Sequence, residues 1–213
     1  MLLEEIMNTE MYTLGPTDTV KDVLELFREK RIRHVPIVDE ARKVIGVVTE
    51  RDLKDARFAE DAPAAADSLY DLKVEQVMTK NPITGHPLDV VEETALLFYE
   101  QKIGCLPVVS NGQLVGFFTE TDLLYKYIEL TGAHQPGSQI EVRVPNRAGA
   151  LYEVSKILYE HHVNVLSVLV YPDKRNEANK VLVFRVKTMN PLPIIEDIRK
   201  EGFDILWPNI PGM

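Results

Sequence analysis

Hydrophobic positions repeat one pattern twice along the first 130 residues of the chain. In each copy, apolar residues spaced three and four apart predict a helix, and two short, nearly continuous apolar runs follow it. A polar turn separates the two runs, so each pair predicts an antiparallel hairpin whose strands are covered on both faces. The helix positions are Val20, Val23, Leu24 and Phe27 in the first copy and Val91, Ala95 and Phe98 in the second, and the hairpins span 35–48 and 106–118.

Equivalent positions in the two copies lie 70 or 71 residues apart. Met7 matches Met78 (78 − 7 = 71), whereas Thr49 matches Thr119 (119 − 49 = 70). One residue is therefore missing from the second hairpin turn, where a change in length is tolerated. Two copies are too few for a solenoid, so we expect two units packed on each other. The predicted units are residues 1–60 and 71–131, joined by an exposed connector at 59–67 that is rich in Ala, Asp and Pro.

A third segment, residues 138–209, has a different pattern. Gly, Pro and Ser cluster just before it, and residues 140–144 then alternate between apolar and polar, which predicts a half-buried strand. The remaining elements are a helix with Leu151, Val154, Ile157 and Leu158, a strand at 164–171, a strand at 181–186, a helix at 193–201 and a strand at 203–207. This βαββαβ order predicts the ferredoxin-like split fold, so the whole chain is of the α+β class.

Each hairpin of the repeat leads into the motif Gly-apolar-apolar-Thr-x-x-Asp-Leu, at residues 46–53 and 116–123. The Thr falls at the start of a predicted helix, and the Asp follows three residues later. A carboxylate can accept two hydrogen bonds from a ribose diol, and the N–H groups at a helix start favour phosphate. The motif therefore predicts a nucleotide site, with Thr49, Asp52, Thr119 and Asp122 as ligands and Leu14, Pro36, Ile83 and Pro107 lining an apolar slot for the base.

The same four motif residues also fit a helix cap that needs no ligand. In a capping box a Thr caps the helix and an acidic residue three positions later reaches back, which is worth about 1 kcal/mol. The presence of two copies, each preceded by Gly and two apolar residues, favours the nucleotide interpretation, and the capping interpretation stays open.

Composition narrows the partners and the chemistry. The net charge is −9 and Lys and Arg do not cluster, so nucleic acid and anionic membranes are not expected as main partners. The single cysteine, Cys105, rules out a disulfide within the chain and fits the cytoplasm. The N-terminus lacks the pattern of a signal peptide, and no apolar stretch reaches the roughly 18 residues of a membrane span. His161 and His162 have no partner at metal-ligand spacing, so neither a metal site nor catalysis is expected.

The two copies of the repeat resemble CBS domains, which usually occur as a tandem pair called a Bateman module. Residues 138–209 resemble an ACT domain, from the element order and from the Asn-Arg-Ala-Gly-Ala-Leu sequence at 146–151. The first resemblance implies a regulatory adenine nucleotide (AMP, ADP or ATP) or another adenosyl ligand at the Thr and Asp of each motif. The second implies an amino-acid ligand near Asn146 and Gly149, although a tight turn without a ligand explains those two residues equally well.

Arg33 and His34 precede the first hairpin, and Gly104 and Cys105 hold the equivalent positions in the second copy. An Arg at this position often meets phosphate in related modules. Because the second copy lacks it, we expect two unequal sites, of which one favours more highly charged ligands. The sequence leaves open which motif Asp shares a cavity with Arg33, and a surface ion pair with Glu29 is the alternative role.

The chain is thus predicted to be a cytoplasmic, non-catalytic regulator. ACT-like sheets often pair edge to edge, so residues 163–171 or a neighbouring strand are expected to form a homodimer. The whole arrangement is similar to bacterial acetoin-utilisation proteins, which implies a role in acetoin breakdown with a protein partner from that metabolism. The competing hypotheses are a structural adaptor whose motifs are only helix caps, an amino-acid sensor acting through the ACT-like part, and a cryptic enzyme.

Overall fold

The computed structural model describes residues 1–58 and 69–208. These fold as two compact units, Met1–Leu124 and Tyr125–Met213, and each unit has hydrophobic cores of its own. The predicted connector at 59–67 lies outside the described residues. None of the described helices combines the length and the apolar run that a membrane crossing requires.

Helices and hairpins of the first unit follow the repeat. The first copy contains a 3-10 turn (Leu3–Glu5), α1 (Val20–Lys30), β1 (His34–Val38), β2 (Val44–Thr49) and α2 (Glu50–Phe58). The second contains α3 (Val74–Val77), β3 (Thr79–Lys80), α4 (Val91–Gln101), β4 (Cys105–Ser110), β5 (Gln113–Thr119) and α5 (Glu120–Thr131), which continues into the second unit. Strands β1 and β2 pair antiparallel, as do β4 and β5, so both predicted hairpins are confirmed.

Two details of the predicted helices are wrong. Leu24 is 36% exposed, and in α4 it is Thr94 rather than Ala95 that is buried, because its hydroxyl donates to the carbonyl of Val90 and needs no water. Asp18 and Asp89, which come just before α1 and α4, stabilise the preceding turns. Their carboxylates accept from the main-chain N–H groups of residues 15 and 86, both at 2.7 Å.

The leading segment of each copy packs on the other copy. Leu3 is fully buried in the core of the second copy, together with Val91 and Phe118. Conversely, Val74 is fully buried in the core of the first copy, and β3 pairs with β2. The short helical turns of these leading segments are Leu3–Glu5 and Val74–Val77.

This exchange explains the glycine of the repeated motif. A side chain at Gly46 would lie 2.3 Å from the sulfur of Met78, and one at Gly116 would lie 2.2 Å from the sulfur of Met7. Both distances are far below van der Waals contact, so each Met of a leading segment lies where a side chain would otherwise be. A small third core of Val47, Cys105 and Phe117 also joins the two copies.

The second unit has the predicted ferredoxin-like order. Its elements are β6 (Ser138–Pro145), α6 (Ala150–Glu160), β7 (Val165–Pro172), β8 (Asn179–Val186), α7 (Leu192–Lys200) and β9 (Asp204–Trp207). The strands form one antiparallel sheet in the order β7-β8-β6-β9, and the core lies between the sheet and the two helices. Leu151, expected in this core, is 44% exposed, and Ala150 is buried in its place.

Candidate functional site

The repeated motif forms a capping box at the start of both α2 and α5. The carboxylate of Asp52 accepts from the main-chain N–H of Thr49 at 2.7 Å and from its hydroxyl at 2.6 Å, and the Asp52 N–H donates back at 3.2 Å. Asp122 and Thr119 repeat these contacts at 2.8, 2.6 and 3.2 Å. The helix-cap interpretation of the motif is therefore geometrically correct.

A third box shows that this geometry alone does not indicate a ligand. Thr19 and Asp22 at the start of α1 make the same three contacts, at 2.8, 2.7 and 3.3 Å. Asp22 is exposed and lines neither of the two cavities described below, whereas Asp52 and Asp122 each line one of them. What distinguishes the two motif boxes is thus their surroundings.

The first cavity, of about 780 Å³, contains the motif of the first copy. Thr49 and Asp52 form one side of it, and residues 102–105, at the entry to β4 in the second copy, form another. Other lining residues are Arg33, His34, Val47, Glu50, Arg51, Lys54 and Asp55 from the first copy and Thr79, Asn81, Pro82, Ile83 and Glu120 from the second. The cavity therefore combines the motif of one copy with the strand start of the other.

The second cavity, of about 300 Å³, contains the motif of the second copy. It joins Thr119 and Asp122 to residues 31–34, which lead into β1 of the first copy. The remaining lining residues are Asn8, Phe117 and Thr121. The two cavities thus follow the same plan with the copies interchanged.

Arg33 and His34 line both cavities. The Arg33 guanidinium donates to the hydroxyl of Thr121 at 3.4 Å, in the second cavity. Among the described residues it makes no ion pair with Glu29, the alternative partner that the sequence suggested. Arg33 therefore shares a cavity with both motif Asp residues, with Asp52 in the first cavity and with Asp122 in the second.

Lys102 lines the first cavity, and the sequence interpretation did not name it. Its ammonium lies 4.1 Å above the ring of Tyr99. Arg31, which lines the second cavity, holds the equivalent position 71 residues earlier (102 − 31 = 71). The repeat offset could have revealed these two cations, because Arg31 lies two positions before Arg33 and Lys102 lies two positions before Gly104.

The helix starts offer fewer free N–H groups than the sequence suggested. The N–H of Glu50 donates to the carbonyl of Arg33 at 3.0 Å, and that of Glu120 donates to Gly104 at 3.1 Å. The N–H of the Asp in each box donates to the Thr hydroxyl. Of the three residues in the first turn of each helix, only the middle one, Arg51 in α2 and Thr121 in α5, keeps an N–H without a partner among the described residues.

The sequence matches the CBS domain family over residues 3–59 and 74–129 and the ACT domain family over residues 138–202. The chain belongs to the CBS domain family. The second unit contains its ACT domain, and the mixed α/β fold with a CBS pair followed by a four-stranded ACT sheet is confirmed.

Solved structures similar to the CBS pair include proteins with bound adenosine compounds. An acetoin utilization protein (AcuB) from Vibrio cholerae is 32% identical with a TM-score of 0.55, over 63% of this chain and 96% of that one. CBSX2 in complex with AMP is 26% identical with a TM-score of 0.52, over 60% and 96%. The CBS pair of MJ0100, with 5′-methylthioadenosine and S-adenosylmethionine, is 25% identical with a TM-score of 0.52, over 60% and 99%.

The chain spans about a quarter of the length of the first curated relatives that it matches. One of them is a homoserine O-acetyltransferase from Methanococcus vannielii, 32% identical over 123 residues, which are 57% of this chain and 24% of that protein. The likeness to this enzyme is therefore confined to a CBS-sized part of it.

Burial and neighbouring charges in the CBS pair shift the pKa values of His34 and Cys105. Burial lowers the pKa of His34 and the charge of Arg33 lowers it further, while Asp52, Asp122 and Glu50 act in the opposite direction. Burial raises the pKa of Cys105 to about 12, and the charges of Asp52 and Glu120 add to this. A thiol with this pKa stays protonated at neutral pH and is a poor nucleophile.

Of the four residues predicted to line a slot for the base, one lines a cavity described here and three do not. Ile83 lines the first cavity and is 41% exposed. Pro36 and Pro107 are buried in the middle of their hairpins, opposite Val47 and Phe117. Leu14 packs on the core of the first copy. These last three do not line either cavity as described, so their contact with a base stays a prediction.

In the ACT domain, Asn146 and Gly149 form a turn into α6. The Asn146 N–H donates to the carbonyl of residue 178 at 2.8 Å, and Gly149 has a φ of +88°, which favours glycine. Beside them, Arg147 forms a two-pronged ion pair with Glu153 at 2.7 and 2.8 Å. The sequence interpretation missed this pair, in which the charge of Arg147, between Asn146 and Gly149 in the sequence, is already paired.

Proposed function

We propose that this protein is a non-catalytic regulator that senses adenine nucleotides or related adenosyl compounds through its CBS pair. One observation supports this above all: each motif Asp lies in a cavity that joins both copies of the repeat. A ligand in such a cavity contacts both copies at once and can shift the balance between their arrangements.

The first cavity fits the parts of an adenosine ligand. Its volume of about 780 Å³ lies within the usual range for small-molecule sites, roughly 300 to 1,000 Å³. Asp52 has one oxygen committed to Thr49, while the other accepts from the hydroxyl of Thr79 at 3.1 Å, a contact that a ribose hydroxyl could replace. Arg33 and Lys102 supply positive charge for phosphate. The complexes of similar CBS pairs with AMP and with S-adenosylmethionine support the same ligand class.

A regulatory rather than catalytic role is consistent with both domain families. The homoserine O-acetyltransferase from Methanococcus vannielii matches this chain over a CBS-sized part only, and Cys105 is held protonated. We infer that AMP, ADP or ATP acts as a regulatory ligand and not as a cofactor.

We further infer a role in acetoin utilisation, a homodimer and a cytoplasmic location, each of which is supported by one observation. A role in acetoin utilisation, with a protein partner from that metabolism, is supported by the similarity to AcuB from Vibrio cholerae. A homodimer is supported by β7, an edge strand whose residues 168–171 are apolar and exposed. A cytoplasmic location is supported by the single buried cysteine.

A thermal-shift titration with AMP, ADP, ATP, NAD and S-adenosylmethionine tests the proposal. A ligand at 100 times its dissociation constant adds about 2.7 kcal/mol to the free energy of unfolding, which is readily visible in the melting temperature. Asp52→Ala and Asp122→Ala should each remove the part of the shift that comes from their cavity. Asp22→Ala, which removes an equivalent box away from both cavities, is the matched control and should leave the shift intact.

A structural adaptor is the second candidate, because the box at Thr19 and Asp22 proves that this geometry serves as a plain helix cap. If no adenine compound raises the melting temperature of the folded wild-type protein, the adaptor replaces the sensor. Amino-acid sensing at Gly149 is tested in the same assay with a panel of amino acids.

A further inference from the structure

Arg33 has no equivalent cation in the second copy of the repeat. It lines both cavities, and its exposed side chain donates to Thr121 at 3.4 Å. The equivalent position in the second copy is Gly104, which has no side chain to offer. A Cβ placed on Gly104 would lie 3.2 Å from the ring of His34, so a side chain at this position would require that ring to shift by a few tenths of an ångström.

The other cations near the two motifs do not have this double position. Among the described residues, Arg31 lines the second cavity only, and Lys102, its equivalent, lines the first only. On α2, Arg51 and Lys54 are already paired with Asp55 and Glu50, at 3.7 and 2.9 Å. Each cavity thus has at least one cation of its own besides Arg33, which the two cavities hold in common.

We propose that Arg33 is shared between the two cavities and makes the second anionic nucleotide bind more weakly than the first. The inference rests on the proposed nucleotide-sensing function and specifies its regulation. A guanidinium that makes a two-pronged contact with the phosphate of one ligand cannot make the same contact with another. The first AMP therefore draws Arg33 to its own cavity and leaves the other cavity with one cation fewer. Adenosine has no phosphate and does not compete for Arg33.

Single-cavity variants test whether both cavities use the same arginine. Asp122→Asn leaves the first cavity as the working site and Asp52→Asn leaves the second, while the amide oxygen of Asn can still accept the Thr N–H bond of the box. Adding Arg33→Gln should weaken AMP binding about tenfold in each of the two backgrounds, as measured by isothermal titration calorimetry. Adenosine affinity should change little in either background.

The wild-type protein should then bind two AMP molecules with dissociation constants at least about tenfold apart, and Arg33→Gln should bring them closer by weakening the tighter site. Arg31→Gln and Lys102→Gln remove the same charge from one cavity each, and each should weaken AMP in only one single-cavity background.

Three results would overturn the inference. If Arg33→Gln weakens AMP in only one background, Arg33 belongs to that cavity alone. If wild-type protein binds two AMP molecules equally, the cavities do not compete. If neither AMP nor adenosine binds the folded wild-type protein, the nucleotide-sensing function itself fails, a result that the adenosine titration separates from the other two.

Discussion

At the residue scale, the same two side chains do different work in different surroundings. Three boxes of Thr and Asp have nearly identical hydrogen bonds, yet of the three only those at Asp52 and Asp122 line the two cavities described above. The sequence interpretation singled out these two and missed the box at Thr19, because residues 16–18 do not have the glycine and two apolar residues that precede the Thr of the motif. The spacing of Thr and Asp in the sequence predicts the hydrogen bonds of a box, whereas the sequence does not show whether that box lines a cavity.

The box at α1 predicts an acid-sensitive stabilisation. Thr19→Ala should lower the free energy of unfolding by about 1 kcal/mol at pH 7. Hydrogen bonds from the Thr19 side chain and then its main chain lower the pKa of Asp22, so its stabilising effect is present above the unfolded-state value of about 3.9. That effect is lost as the pH falls through the lower folded-state pKa. Urea unfolding at pH 7 and pH 3 should therefore show a smaller cost of Thr19→Ala in acid; an equal cost at both values would contradict it.

His34 predicts a proton linked to nucleotide binding. Its pKa is lowered chiefly by burial and then by Arg33, so the folded state favours neutral imidazole, and this stabilisation is lost as the pH falls below the unfolded-state value of about 6.5. A phosphate in either cavity adds negative charge beside His34 and raises its pKa. AMP binding near pH 6 should therefore take up more protons in the wild type than in His34→Asn, a comparison that cancels the titration of the AMP phosphate itself, whose second pKa is about 6. Titration calorimetry in buffers of different ionisation enthalpy measures this difference, and equal values in the two proteins would contradict the role of His34.

At the element scale, the leading segments decide how the two copies are built. The period of 70 or 71 residues identifies which elements are equivalent, but it does not say on which copy a short leading segment packs. Leu3 and Val74 are apolar and equally suited to either core. The space above Gly46 and Gly116, which a Met from the other copy fills, favours the exchange.

Gly116→Ala tests this contact. The added methyl group would overlap the sulfur of Met7, so we expect a loss of about 1 to 3 kcal/mol in the free energy of unfolding. Met7→Ala in the same chain should recover part of this loss, because it removes the overlapping atoms. Gly15→Ala is the matched control, since its nearest neighbour would be an ordinary contact at 3.7 Å. A loss that Met7→Ala deepens would show that the two residues do not oppose each other; urea titrations measure all four proteins.

At the scale of the whole molecule, two units with separate cores lie in one chain. The CBS pair carries the two cavities, and the ACT domain presents an unpaired edge strand. Edge strands of monomeric proteins usually carry charges that block further pairing. Strand β7 has none: it reads Val-Leu-Ser-Val-Leu-Val-Tyr-Pro, and its second half is exposed. This absence of charge on β7 supports a second copy as its partner.

Val170→Lys tests the dimer that this edge implies. A charge on the exposed edge should oppose pairing with a second chain, so the mass measured by light scattering should fall from two chains to one. Met189→Lys adds the same charge at a loop residue that is 81% exposed and should leave the mass unchanged. A wild-type protein that is already monomeric at high concentration would refute the dimer.

The sequence by itself determined the repeat, both hairpins, the capped starts of the helices after Thr49 and Thr119, and the ferredoxin-like order. Each of these leaves a local signal, since apolar period and turn residues act within one element or between neighbours. Only the tertiary structure decided that the leading segments are exchanged, that each cavity joins a motif to the opposite copy, and that Arg33 serves both. These depend on contacts such as that between Arg33 and Thr121, 88 residues apart, which arise from how the two copies pack and leave no period in the sequence.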